Sequence, residues 1–176
     1  QHLLTSVKTP TSEEVQANIE TFLGPEGRLA PTKRGHKNIL PGQVMMVDGI
    51  ALEEVCRFCP ICNVVLGLCR EHSDHINTTV RSLESIDAIE KAIEDDHSVC
   101  HGKDGTVVSI APIAPVVEKE HYTPLTIALS ASCKKEKGKT LAKWLGDVIV
   151  TYASHPHGEQ VHGPILSLAT DGESSF

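Results

Sequence analysis

Leu141, Trp144, Leu145, Val148, Ile149 and Tyr152 recur at i, i+3, i+4, i+7, i+8 and i+11. A stripe this wide is the core face of a helix that must pack on a sheet, and Trp144 reads as a packing residue within it. Strand-like runs flank the helix: Leu125-Thr126-Ile127-Ala128-Leu129-Ser130 before it, and Ile165-Leu166-Ser167-Leu168-Ala169-Thr170 beyond Pro164. Strand, helix and strand with a crossover of this length imply a parallel pair with a right-handed connection. The fold class that follows is α/β, a mixed sheet flanked by helices.

Earlier segments add elements to that frame. Thr11-Ser12-Glu13-Glu14 has capping-box spacing, Val15, Ile19 and Phe22 follow at helical intervals, and Gly24 supplies a stop, which predicts a helix over 12–23. Residues 24–42 are rich in Gly, Pro and basic side chains (Lys33, Arg34, Lys37) and read as a connector. Strands are expected over 43–48 and 63–69, with a further extended segment over 50–58. Leu83, Ile86, Ile89 and Ile93 mark an amphipathic helix whose acidic positions face solvent. Residues 97–123 are broken by Pro112 and Pro115, with Val107-Val108-Ser109-Ile110 as a candidate strand. The expected organisation is a helix and connector over 1–42 and a partial core over 43–176, with an insertion at about 77–123. The strand-like run that precedes Ser174-Ser175-Phe176 suggests a fragment.

Composition narrows the partners. A chain of 176 residues supports one ordinary core. A formal net charge of -7 announces no polyanion partner for the chain as a whole, so nucleic acid would need a local patch. Aromatic residues at 3% argue against a base-stacking surface. No apolar run is long enough to span a bilayer and no signal peptide is recognisable, so no membrane partner is expected.

Two carboxylates occupy positions with chemical meaning. Asp48 closes the apolar run Val44-Met45-Met46-Val47, and Asp171 closes the run over 165–170. Strand ends are where α/β folds place binding and catalytic groups, and two hard oxygen ligands there suit Mg²⁺ and phosphoryl transfer. The plain alternative for each is a turn or helix-cap aspartate. Glu173 is a possible further metal-proximal acid, and Glu53 and Glu54 read as solvated carboxylates. Lys134, Lys135 and Lys137, with Lys139 and Lys143, form the dense basic cluster of the chain. They can hold DNA phosphates without reading sequence, or simply keep a helix start soluble.

A second chemistry is available in Cys56, Cys59 and Cys62, spaced C-x2-C-x2-C, followed by Cys69, His72 and His75, spaced C-x2-H-x2-H. Six soft or imidazole ligands in so short a stretch can supply a tetrahedral zinc site. The alternative is a hairpin that happens to carry thiols, because consecutive strand side chains point to opposite faces.

The runs Val44-Met45-Met46-Val47-Asp48-Gly49-Ile50, Val65-Leu66-Gly67-Leu68-Cys69-Arg70-Glu71-His72, Ser132-Cys133-Lys134-Lys135-Glu136 and Leu168-Ala169-Thr170-Asp171-Gly172-Glu173 resemble transposase-derived proteins of mushroom-forming fungi. The resemblance extends over the whole chain in the same order and agrees with the topology of an RNase H-like core. It implies a DDE-type transposase lineage, in which two Asp and one Glu hold two Mg²⁺ ions that act on a DNA phosphodiester. By position Asp48 is the first acid and Asp171 the second, and the third lies beyond Phe176. Gly49 and Ser132 depart from the family pattern, which places acidic residues there. The resemblance therefore implies a DNA partner and nuclear location for the parent protein, and inactivity for this chain alone. Two non-enzymatic readings stand beside it: a zinc-stapled interaction module, and an RNase H-like scaffold without chemistry.

Overall fold

The computed structural model describes residues 12–26, 40–60, 63–73, 75–94, 99–113 and 124–171. In chain order its elements are α1 (Ser12–Leu23), β1 (Gln43–Ala51), β2 (Arg57–Cys59), β3 (Val64–Leu66), α2 (Leu83–Glu94), β4 (Asp104–Pro112), β5 (Leu125–Ser132), α3 (Gly138–Ser154), α4 (Glu159–His162) and β6 (Ile165–Thr170). A four-stranded sheet has the order β5-β4-β1-β6, and β2 and β3 make a separate antiparallel ladder. The class is mixed α/β with a mixed sheet and flanking helices, as the patterning predicts.

Strand directions follow from the hydrogen bonds at the strand ends. The Leu52 N–H donates to the Lys103 carbonyl, and the Ile113 N–H donates to the Gly42 carbonyl, so β1 and β4 run antiparallel. The Lys103 N–H donates to the Ser132 carbonyl, which sets the start of β4 beside the end of β5. β6 pairs with β1 in parallel, with rungs Val44↔Ser167, Met45↔Leu168, Met46↔Ala169 and Val47↔Thr170. The crossover helix α3 thus carries the chain past β4 and β1, and the parallel neighbour of β6 is β1 rather than β5.

Two compact units divide the chain. One is built around Ser12–Asp48, Val107–Ala128 and Gly138–Phe176, the other around Gly49–Thr106 and Leu129–Lys137. In the first, Val15, Ile19 and Leu23 of α1 and Trp144, Leu145, Val148 and Tyr152 of α3 pack on Met45, Val47, Val108, Ile110 and Ile127. Each aliphatic side chain so buried contributes about 1.5–3 kcal/mol. Asn18 lies within this apolar contact and donates through Nδ2 to the Ile127 carbonyl at 3.0 Å. This satisfies its polar group and pins α1 to β5. Met45 and Val47 alternate with Val44, Met46 and Asp48, so the aspartate belongs to the sheet face turned away from the two helices.

In the second unit the apolar cluster is small: Leu68, Ala92 and Val99 are buried, with Cys56, Leu66, Ile76 and Ile93 packed against them. Helix α2 forms over the residues whose periodicity marked it, but Leu83 and Ile86 stay exposed, so its packed face is narrower than the periodicity implies.

The structure departs from the sequence reading in the middle of the chain. The run over 63–69 is not a strand of the main sheet: Val64–Leu66 pairs with Arg57–Cys59 in the small ladder. The second and third main-sheet strands are Asp104–Pro112 and Leu125–Ser132. The segment between β1 and β4, rather than 77–123, is what interrupts the sheet. β-Branched pairs and a turn made 63–69 strand-like, and short runs of that kind do not reveal which ladder they join. The capping residue Thr11, the basic connector over 27–39 and Glu173 lie outside the described residues.

Candidate functional sites

The parallel ladder fixes the relation of the two aspartates. Val47 stands opposite Thr170, and the next position on each strand is Asp48 and Asp171. Neighbouring strands lie about 4.8 Å apart, so the ladder brings Asp48, within β1, near Asp171, the residue that follows β6. Strand β1 runs on to Ala51, so the strand expected over 43–48 does not end at Asp48. Both are exposed. Since Met46 and Ala169 share a rung, alternation gives Asp48 and Asp171 the same sheet face as that pair.

The other acids proposed from the sequence do different things. Glu53 forms an exposed ion pair with Arg57 at 2.8 Å, and Glu54 forms one with Lys103 at 3.0 Å. Both are surface pairs of small energetic weight. In the basic cluster, Lys134 has a left-handed backbone (φ 65) and its ammonium meets Asp104 at 3.1 Å, while Lys135 and Lys137 are exposed.

Among the described residues, Cys69 and His72 are the members of the cysteine–histidine set over 56–75 that enter a group able to hold a metal ion. Cys69 and His72 come together with Cys133, their ligand atoms all lying within 4.8 Å of one another. His72 Nδ1 stands 3.4 Å from Cys69 Sγ and 3.5 Å from Cys133 Sγ. Zn–N and Zn–S bonds of the usual lengths at a tetrahedral angle put nitrogen and sulfur about 3.6 Å apart. These three groups can therefore hold a metal ion. Cys62 lies outside the described residues, Cys59 is buried in β2, and Cys56 faces His101 Nδ1 at 3.6 Å instead. His75 is exposed.

Local folding explains why this trio forms. Leu68 bridges His101, the Cys69 N–H donates to the Cys100 carbonyl at 2.8 Å, and the Arg70 N–H donates to the Ala131 carbonyl at 2.9 Å. The segment over 67–70 is thereby threaded between 100–102 and 131–133. The Cys133 N–H donates to the Cys69 sulfur at 3.3 Å. Burial, reinforced by the Cys133 thiol, nevertheless pushes the Cys69 thiol up to about 11, with the neighbouring backbone N–H groups working the other way. The Cys100 thiol is raised as well, chiefly by burial.

Beside the trio lies a buried ion pair. The Arg70 guanidinium donates through Nε to Glu136 Oε1 at 3.0 Å and through Nη2 to Glu136 Oε2. A second arm donates to Thr106 Oγ1 at 3.0 Å and to the Ser130 carbonyl. Both side chains are almost fully buried. Each of two short sequence strings thus provides one sulfur and one charge: Cys69-Arg70 in the first, Cys133 and Glu136 in the second.

Cys133 is the residue that the reading of local spacing missed. Cys133 lies 61 residues from His72, far outside the window in which a clustered motif is sought. The detectable half was the C-x2-H of Cys69 and His72. No family model, curated protein or solved structure matches this chain. Among the described residues, no helix is long and apolar enough to cross a membrane.

Proposed function

We propose that this chain is an RNase H-like core of the DDE transposase lineage, with Asp48 and Asp171 as the first two acids of its site. The observation that carries the reading is the parallel β1–β6 ladder, in which Val47 stands opposite Thr170 and Asp48 and Asp171 are the residues that follow them. Support also comes from the sheet order, in which β1 lies between antiparallel β4 and parallel β6 and α3 makes the crossover. The resemblance of the strings around Asp48, Cys69, Cys133 and Asp171 points the same way.

The residues present fit one divalent cation. Two exposed carboxylates, one within β1 and one just past β6, offer hard oxygen donors, and Mg²⁺ keeps several of its waters when so held. A two-metal arrangement needs further acid ligands, and the described residues form no group of three carboxylates. When bound, Mg²⁺ supplies Lewis-acid stabilisation of charge on a phosphodiester. The chain's own contribution is to hold two negative groups at one sheet end, and Lys134, Lys135 and Lys137 would contribute phosphate contacts to DNA. Nuclear action belongs to the same reading.

Mn²⁺ titration of the 176-residue chain, followed by NMR, tests it. Paramagnetic broadening is expected first at Val47–Gly49 and at Thr170 and Asp171, and is lost in Asp48→Asn. Broadening elsewhere, or broadening indifferent to that substitution, overturns the proposal.

A second reading, a zinc-stapled interaction module, is favoured by the Cys69, His72 and Cys133 group. The two are compatible in one chain, since a structural zinc and a hard-cation site use different donors.

A further inference from the structure

We infer that the buried Arg70–Glu136 pair positions Cys69, His72 and Cys133 for one zinc ion, so that metal binding and the ion pair reinforce one another across the same two segments. The inference rests on the zinc reading and adds to it the device that presents the ligands.

Three observations carry it. The first is the spacing of the donor atoms: His72 Nδ1 stands 3.4 Å from Cys69 Sγ and 3.5 Å from Cys133 Sγ, and all three atoms lie within 4.8 Å of one another. Bonds from one zinc ion to nitrogen and to sulfur impose separations of that size. The second is charge. Both cysteines are buried, and two thiolates with a neutral imidazole cancel the charge of a divalent ion. Such a centre is neutral, as is the Arg70–Glu136 pair beside it, so neither leaves an unpaired charge away from water. Thiolate donors also favour zinc over magnesium. The third is connectivity. Arg70 follows Cys69 directly, and Glu136 closes the string Cys133-Lys134-Lys135-Glu136. The sulfurs and the charges that meet therefore come from the same two segments.

How the pair positions the ligands follows from its anchors. The guanidinium donates to both carboxylate oxygens of Glu136, to Thr106 Oγ1 at 3.0 Å and to the Ser130 carbonyl. The Arg70 N–H donates to the Ala131 carbonyl at 2.9 Å, and the Cys133 N–H donates to Cys69 Sγ at 3.3 Å. Arg70 is thus fixed to β5 through side chain and backbone at once, which leaves the adjacent Cys69 sulfur little freedom relative to Cys133. Ligands held in this way lose less conformational freedom when the metal binds. Removing supporting contacts of this kind costs about 10–100-fold in metal affinity. Linkage makes the effect reciprocal: a zinc ion spanning the two segments keeps Arg70 against Glu136. Two thiol protons leave to solvent as zinc binds, while His72 coordinates as neutral imidazole.

The test uses the full 176-residue chain expressed with zinc. Metal analysis is expected to give one zinc per chain. Replacement by Co²⁺ should give sulfur-to-metal charge transfer that falls by about half in Cys133→Ser, as two thiolates become one. In the double variant Arg70→Met with Glu136→Leu, which removes both charges together, chelator competition should show zinc held at least about tenfold more weakly with an unchanged cobalt spectrum. In the wild-type chain the Arg70 Nε–H should exchange with solvent about tenfold faster once zinc is chelated. Absence of zinc in the wild-type chain overturns both the zinc reading and this inference. Zinc with a cobalt band indifferent to Cys133→Ser overturns the ligand set. Wild-type zinc affinity in the double variant overturns the positioning role alone. Should either variant fail to fold, the wild-type chain decides: a ¹¹³Cd shift of other than two thiolates rejects the ligand set, and Arg70 Nε–H exchange indifferent to chelation rejects the coupling.

Discussion

Arg70 and Glu136, 66 residues apart in the chain, meet in a two-pronged, almost fully buried ion pair. Removing one partner strands the other charge away from water, so Glu136→Ala is expected to cost about 3–5 kcal/mol. Replacing both with apolar residues, Arg70→Met with Glu136→Leu, should recover most of that loss. Urea unfolding of the two single variants and the double variant checks this. A double variant as unstable as the worse single one would show that the pair does more than compensate charge.

The pH dependence of stability is expected to have a component from His162. Burial above all, with His157 adding to it, holds the folded imidazole below its ordinary value of 6.5, against an opposing bond to the Leu23 carbonyl. The unfolded chain therefore binds the proton more readily. This contribution is complete above about pH 6.5 and fades as pH falls through the folded value. His155 acts in the same direction, again chiefly through burial. Subtracting the pH profile of His162→Gln from that of the wild type isolates the effect. A difference with no slope between pH 5 and 7 would refute it.

Gly163 adopts φ 96, and a Cβ there would lie 2.0 Å from the Pro41 carbonyl oxygen. Its own carbonyl accepts the Tyr152 hydroxyl at 2.8 Å. Gly163→Ala is expected to destabilise by about 2 kcal/mol or more, through both backbone strain and the forced shift. Thermal melts of this variant and of Gly146→Ala, where no atom lies within 4 Å of the added carbon, give the comparison. Equal losses would remove the special status of Gly163.

Residues 1–176 are expected to show no Mg²⁺- or Mn²⁺-dependent DNA nicking, because two acids do not complete a two-metal site. Supercoiled plasmid relaxation measures this. Cleavage that Asp48→Asn abolishes would show that the described acids suffice.

Legibility in the sequence followed the length of the pattern. The stripe from Leu141 to Tyr152 and the run from Val15 to Phe22 each span several helical turns, and α3 and α1 appear where expected. The end of β6 before Asp171 was legible because an apolar run terminates at a charge, but β1 continues past Asp48 to Ala51, so the same signal misplaced its end. What no run could reveal was pairing. Residues 63–69 look as strand-like as 125–130, and only tertiary contact assigns one to a small ladder and the other to the sheet. The metal group was partly legible for the same reason: Cys69 and His72 announce themselves by spacing, while Cys133 arrives through folding from a distant segment.

The parallel partnership of β1 with β6 has a consequence for synthesis. Ribosomes deliver β1 roughly 120 residues before the strand that covers its far edge. At ordinary elongation rates that interval is on the order of 6–24 s. Throughout it, the hydrogen-bonding edge formed by Val44, Met45, Met46 and Val47 has no native neighbour on that side. Nascent chains of this protein are accordingly expected to engage holdase chaperones until Ile165–Thr170 emerges.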